Sequence, residues 1–216
     1  MKKLKVGLWG ASGRMGQEVS RLLADARDLS LAEKSVDIWI DFSSPEGFDE
    51  ILKKAVKAGT PLVSGTTGLS AKQKDALKKA GRKIPVLWAS NMSLGVAVLN
   101  EAIRLFSRLE GFDFQIEEIH HNRKKDRPSG TALTLQETLR EAVGGKIPDV
   151  LSMRGGGVFG VHKVWAFSEE EVLMFEHQAL NRAVFARGAL AAARWLAGRP
   201  AGLYHIRDVA FSGLES

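Results

Sequence analysis

Cysteine is missing from all 216 residues, which removes disulfides, thiolate metal sites and cysteine nucleophiles from consideration together. No apolar run approaches the roughly 20 residues that a membrane-spanning helix needs. The start, Met1-Lys2-Lys3-Leu4-Lys5-Val6-Gly7, has too short an apolar stretch for a secretory signal, so the expectation is a cytoplasmic protein with no membrane partner. Internal repeats and low-complexity runs are lacking too. What is present is ordinary for a globular chain: 44% hydrophobic and 26% charged residues, and enough length for one large domain or two small ones. The net charge of +6 suits nucleic acid and anionic metabolites equally, and decides nothing alone.

The first half alternates short apolar runs with amphipathic segments, the pattern of βαβ units on a parallel sheet. Strands are expected at Leu4 to Trp9, Leu29 to Ala32, Val36 to Phe42, Pro61 to Ser64 and Val86 to Ala89. Helices fall between them: Met15, Val19, Leu22 and Leu23 recur at helical spacing, Ser44-Pro45 opens a second helix, and Ser70 with Gln73 forms a capping-box pattern for a third. Beyond Asn91 the texture changes. A helix is expected from Leu94 to Arg108, a strand from Phe112 to Ile119 and a helix from Thr131 to Val143. Strands without intervening helices follow at Leu151 to Met153, Val161 to Phe167 and Val172 to Ala179. An alanine-rich helix, Ala183 to Leu196, and a last strand, Gly202 to Phe211, are expected to return to the first domain. The fold class is therefore α/β: a doubly wound, mainly parallel Rossmann-type sheet, with a second α+β domain on a mixed or antiparallel open sheet. The expected division is 1–92 plus 183–216 for dinucleotide binding, and 93–182 for substrate binding and oligomerisation.

Gly10-Ala11-Ser12-Gly13-Arg14-Met15-Gly16 lies between the first strand and helix. Glycines there let the backbone approach a pyrophosphate at the positive end of the helix, and Arg14 adds a cation. The G-x-x-G-x-x-G spacing departs from the standard dinucleotide fingerprint, and a tight turn with no ligand is the bland reading. Glu33 follows near the end of the second strand, where an acid can hold a ribose 2′-hydroxyl, and Lys34 beside it can pair with a 2′-phosphate. Three further loops lie after strand carboxyl ends, where a doubly wound sheet puts its ligand: Asp41 to Glu46 with Phe42 and Ser43, then Gly65-Thr66-Thr67-Gly68, then Ala89-Ser90-Asn91-Met92 running on to Gly95. Singly each is a turn or cap. Together they predict a cofactor cleft.

The segment Glu117-Glu118-Ile119-His120-His121-Asn122-Arg123-Lys124-Lys125-Asp126-Arg127-Pro128-Ser129-Gly130-Thr131 puts proton donors beside an anion clamp. Histidine moves protons near neutral pH, lysine and arginine attract carboxylates, and the first amides of the following helix bind anions. A metal site is a poor reading, because neighbours on a strand point to opposite faces and His162, His177 and His205 are scattered along the chain. Nucleic-acid binding is disfavoured: Glu117, Glu118 and Asp126 interrupt the basic run, and no aromatic residue is there to stack on a base.

These motifs, and Arg207-Asp208-Val209 near the end, resemble the dihydrodipicolinate reductase family along nearly the whole chain. The resemblance implies hydride transfer from NADPH or NADH to a cyclic dicarboxylate imine, in the diaminopimelate route to lysine, by a homotetramer assembled through the second domain's sheet. It implies His120 as general acid and Lys124 as the second catalytic group, with His121, Ser129, Gly130, Thr131 and, more remotely, Arg182 binding the substrate. The chain departs from the family after Lys34, where Ser35 alone replaces a longer excursion. That leaves the adenine-side wall, and with it cofactor preference, open. The alternative from another class is a dinucleotide-binding sensor without turnover, which would need no proton donor at His120 or Lys124.

Overall fold

The computed structural model describes residues 3–213. In chain order the elements are β1 (Leu4–Trp9), α1 (Arg14–Ala24), β2 (Leu29–Leu31), β3 (Ile38–Asp41), α2 (Pro45–Ala58), β4 (Leu62–Ser64), α3 (Ala71–Gly81), β5 (Pro85–Trp88), α4 (Leu94–Ala102), a 3-10 segment Ile103–Arg108, β6 (Asp113–His120), α5 (Gly130–Val143), β7 (Leu151–Arg154), β8 (Gly160–Phe167), β9 (Val172–Ala179), α6 (Ala183–Leu196), β10 (Gly202–Tyr204) and α7 (Ile206–Ala210). The chain divides into two compact units: the segment up to Leu94 together with that from Arg182 onwards, and Gly95–Asn181.

In the first unit six strands lie in the order β10-β5-β4-β3-β1-β2, every pairing parallel. Parallel strands covered on both faces carry apolar residues on both, and β3 shows it. Ile38 and Ile40 join one core with Val6, Val19, Leu22, Leu87 and Ala189, while Trp39 joins the opposite core with Phe48, Ile51, Leu62, Leu77 and Val86. The helices start where local chemistry starts them. Ser44 accepts the Gly47 N–H at 3.3 Å with Pro45 in the first turn, and Ser70 and Gln73 close a reciprocal capping box on α3; each such cap contributes about 1 kcal/mol. Helix α6 presents small residues, Ala186, Gly188, Ala189, Ala192 and Ala193, to its core, and a Cβ on Gly188 would collide with the carbonyl of Met92.

The second unit is a four-stranded sheet in the order β7-β6-β8-β9, parallel at β6/β7 and antiparallel elsewhere. One face packs Ile116, Val164, Ala166 and Phe175 with Phe106, Leu135 and Leu139 of the neighbouring helical segments.

Three expected elements differ from those observed by more than a residue at an end. Only Gly202–Tyr204 of the last expected strand is extended; α7 follows, because Asp208 accepts the His205 N–H at 2.9 Å and turns the chain into a helix. The helix from Leu94 tightens to 3-10 geometry after Ala102. The third strand begins at Ile38, since Ser35 adopts φ 52° and Asp37 uses its carboxylate to accept the Lys5 N–H at 2.8 Å.

Candidate active site

In the first unit the glycine-rich turn is shaped by backbone collisions. Gly10 has φ 82°, and a Cβ on it would lie 2.7 Å from the carbonyl oxygen of Phe42. A Cβ on Gly16 would collide with the Gly10 carbonyl and the Ala11 backbone, so α1 approaches the turn only with glycine there. No side chain caps α1 at Gly13, and Ala11, Ser12, Gly13 and Arg14 are exposed around its N-terminus, with Met15 partly buried. A close-approach turn under a helix end with no side-chain cap fits a pyrophosphate. Glu33 and Lys34 are exposed beyond β2.

The next loops are stapled by a residue that the sequence placed in a loop without assigning it a role. Asp41 is fully buried at the end of β3. One of its oxygens accepts from the Ser43 amide at 3.0 Å and the Ser43 hydroxyl at 2.6 Å; the other accepts from Ser64 at 2.7 Å and Thr66 at 2.8 Å. The hydroxyl protons of Ser43 and Thr66 are thus committed inside the protein. What these loops offer outward is oxygen lone pairs, amides and the small surfaces of Gly65 and the exposed Thr67. The ring of Phe42 fills the space that a side chain on Gly65 would need. After β5, Ala89 and Met92 are buried and Ser90 is exposed, while Asn91 accepts the Ser93 N–H at 2.8 Å and shapes the turn.

In the second unit, β6 ends at His120 and carries Glu118 two residues earlier on the same face. Glu118 is fully buried; it accepts from Nδ1 of His120 and, at 2.7 Å, from the guanidinium of Arg154 on β7. Arg154 also donates to the carbonyl of Asp126 at 2.6 Å and so ties down the basic loop. Lys124 pairs with Asp126 at 2.8 Å, and its amide donates to His121 at 3.1 Å. Arg123, Lys125 and Arg127 are exposed. His121 is partly buried, with Nδ1 enclosed and without a hydrogen-bond partner. At the start of α5 the Ser129 hydroxyl accepts the Ala132 N–H at 3.2 Å, leaving Gly130 exposed and Thr131 partly so.

Burial pushes the pKa of Glu118 up, but hydrogen bonding, led by Arg154, outweighs it together with the electrostatic pull of His120, and the group stays below the usual carboxylate range. An ionised Glu118 can only accept, so His120 carries its proton on Nδ1 and turns an unprotonated Nε2 outward. Burial lowers His120 as well, and the cations Lys124 and Arg154 add to this against the pull of Glu118. The resting ring is therefore neutral near pH 7. Burial raises Asp126, and its hydrogen bond with Lys124 lowers it further than that, for a net fall.

The structure thus brings His120, His121, Lys124, Ser129, Gly130 and Thr131 into one unit. Arg182 belongs to the other unit, as the N-cap of α6. Glu118, Arg154 and His162 had no role in the sequence reading. His162, 42 positions from His120 in the chain, lies with its ring 5.1 Å from that of His120. Strand pairing was the missing signal, because β6 meets β7 with His120 opposite Arg154 and meets β8 with Glu118 opposite His162. Among the described residues no group of three or more histidine or acidic side chains is placed to hold a metal ion.

Comparison with known proteins agrees with this architecture. The family model described as "Dihydrodipicolinate reductase, C-terminus" matches residues 95–210, and "Dihydrodipicolinate reductase, N-terminus" matches residues 27–92. A Bdellovibrio bacteriovorus protein named 4-hydroxy-tetrahydrodipicolinate reductase is 60% identical, with 98% of each chain covered. One of the same name from Stenotrophomonas maltophilia is 43% identical over 95% of this chain and 97% of its own. In fold, the chain is similar to the dipicolinate-bound dihydrodipicolinate reductase of Paenisporosarcina sp. TG-14, with TM-score 0.77, 18% identity, and 94% of this chain and 98% of that one covered. The chain belongs to the dihydrodipicolinate reductase family.

Proposed function

We propose that the two sites divide the labour of one reduction, the glycine-rich turn and stapled loops of the first unit holding the cofactor and the His120 segment of the second handling the substrate. The enzyme is an NAD(P)H-dependent 4-hydroxy-tetrahydrodipicolinate reductase of the diaminopimelate route to lysine. The net reaction adds a hydride and a proton to the ring and, from the hydrated ring, releases one water. A reduced nicotinamide supplies the hydride. The rest is the work of this chain's own side chains.

The single observation that carries the reading is the buried Glu118 carboxylate behind His120, which orients the ring and fixes which nitrogen is free. His120 rests neutral; the negative charge of a bound dicarboxylate favours its protonated form, so the proton it delivers from Nε2 is acquired as substrate binds. Lys124 exchanges Asp126 for the substrate and balances the charge that develops on the ring. His121, only partly buried, offers the exposed part of its ring for contact. Gly130 and Thr131 offer the amides of the α5 N-terminus to one carboxylate. Ser129, with its hydroxyl on the Ala132 amide, holds that helix end in place. A sensor has no use for the Glu118–His120 pair.

Glu33 and Lys34, both exposed at the ribose end, support acceptance of NADH and NADPH alike. The sheet face of the second unit that points away from its core carries Leu151, Met153, Trp165, Val172 and Met174, four of them exposed. These apolar side chains, interleaved with Glu117, Lys163 and Glu176 on the same face, support assembly of identical chains through that sheet, with a homotetramer in the cytoplasm as the reading.

The test is oxidation of NADH and of NADPH in the presence of the product of the preceding aldolase-type condensation. Native protein is expected to consume both, and His120→Ala and Lys124→Ala to lower kcat by roughly 100- to 10,000-fold. No consumption by native protein, or a double variant as active as native, overturns the reading.

A further inference from the structure

His162 has no part in the chemistry above, yet it is built into the site. It lies on β8 directly opposite Glu118, with His177 of β9 next in the same row. Only 4% of it is exposed, which leaves it little surface to offer a ligand. Its ring stands edge-on to His120 at 75°, and Gly160, two residues earlier, leaves the space: a Cβ there would lie 3.0 Å from His120 Nε2 and 3.7 Å from His162 Cε1. Its Nε2 is 3.1 Å from the hydroxyl of Ser129, the N-cap of α5, itself 2% exposed.

We propose that His162 is a positioning residue that joins the start of α5 to the strand bearing the proton donor, bracing the His120 ring on one side and holding the Ser129 hydroxyl on the other. The proposal rests on the reading that the α5 amides bind a substrate carboxylate. The Ser129 oxygen accepts the Ala132 N–H, which leaves the hydroxyl one proton to donate and one further lone pair. A bond to His162 fixes the remaining freedom of the hydroxyl, and the helix end stops rocking relative to β6 and β8. For the Ser129 hydroxyl to be the donor in this tie, the ring must stay uncharged. The groups facing it are Glu118 and His120 of β6, Lys124 of the following loop and His177 of β9; burial first, then the neighbouring His120, holds its pKa down to about 3. Across the working range of the enzyme the tie therefore does not titrate.

The variants separate the two contacts. His162→Phe keeps a ring against His120 and removes the nitrogen, and His162→Gln restores a polar group facing Ser129. Loss of one buried hydrogen bond at the helix end is expected to raise KM for the cyclic dicarboxylate about tenfold in His162→Phe. The kcat and the KM for the reduced nicotinamide are expected to stay within about twofold, and His162→Gln to recover most of the substrate KM. An unchanged substrate KM, or parallel losses in kcat and both KM values, overturns the proposal. A readout free of turnover is the ¹⁵N imidazole spectrum of the native protein. The His162 Nε2 resonance is expected to keep one neutral form from pH 5 to 8 and to move in Ser129→Ala. No movement overturns the tie even if His162→Phe fails to fold. If native protein shows no turnover but the resonance moves, the reductase reading fails and the tie stands.

Discussion

In the first unit the candidate site is built of glycines and amides held by backbone contacts and by one buried aspartate; in the second it centres on two side chains, His120 and Lys124, held by the carboxylates of Glu118 and Asp126. A Cβ on Gly10 or Gly16 would strike backbone, whereas a Cβ on Gly130, at the start of α5, would meet nothing within 4 Å. Conversely, every group tied to Asp41 is a hydroxyl or an amide, while Glu118 is matched by a histidine and a guanidinium. One site is a shape and the other a charge balance. They should fail in different ways.

The largest effect is expected where that balance is broken. Arg154→Leu leaves the carboxylate of Glu118 buried without its cation, and stability is expected to fall by about 3–5 kcal/mol in urea unfolding, with activity lost as His120 loses its anchor. Replacing both partners together, as Glu118→Leu with Arg154→Leu, is expected to restore much of the stability and none of the activity. If the single variant costs no more than the double, Glu118 and Arg154 are not the coupled pair that the 2.7 Å contact describes.

A smaller but more selective effect is expected from the shape. Gly16→Ala forces α1 away from the turn, at a cost of roughly 1–3 kcal/mol, and lowers affinity for reduced nicotinamide at least tenfold by titration calorimetry. Gly130→Ala serves as the comparison, since its φ is ordinary, its surroundings are open and alanine is the better helix former. Its stability is expected to be unchanged or slightly raised. Equal damage from the two substitutions would erase the distinction.

This difference also explains what could be read from the chain alone. The first unit was legible because its constraints act through residue type within a few positions: glycine where φ is positive or backbones touch, serine and proline where a helix starts, and small polar residues after each strand. His120, Lys124 and Ser129 could be grouped for the same reason, by adjacency, but that Ser129 caps α5 is known only from its bond to the Ala132 amide. Glu118 was in plain view but counted only as an acid interrupting the basic run, since nothing local says that it is buried. Arg154 and His162 reach it only because β7 and β8 pair with β6 in a particular register, and a single strand does not announce its partner. The turn to α7 was missed because Leu203 and Tyr204 carry a strand pattern, and the helix start depends on one side-chain bond from Asp208.

The smallest effect expected is the response to mild acid, and it falls unequally on the two units. Four of the five histidines lie between His120 and His177, in the second unit; the first has only His205. Burial lowers His120, His162 and His177, so between their depressed folded values and about 6.5 the unfolded chain binds protons that the folded chain refuses. Stability is then fully present above about pH 6.5 and declines as pH falls; for His162, whose folded value is about 3, the loss at pH 5.5 is about 1 kcal/mol. Glu118 and Asp126 extend the decline, because their lowered values mean stability present above the ordinary carboxylate range and lost below it. Hydrogen exchange at pH 7.5 and 5.5, corrected for intrinsic rates, is expected to show β6 and β8 losing protection before β1, β3 and β4. In His162→Phe the second unit's loss over that interval should shrink by about the share of one histidine. If both units soften together, or if the variant follows the native curve, the charge balance does not set the acid limit and the contrast between shape and charge is confined to binding.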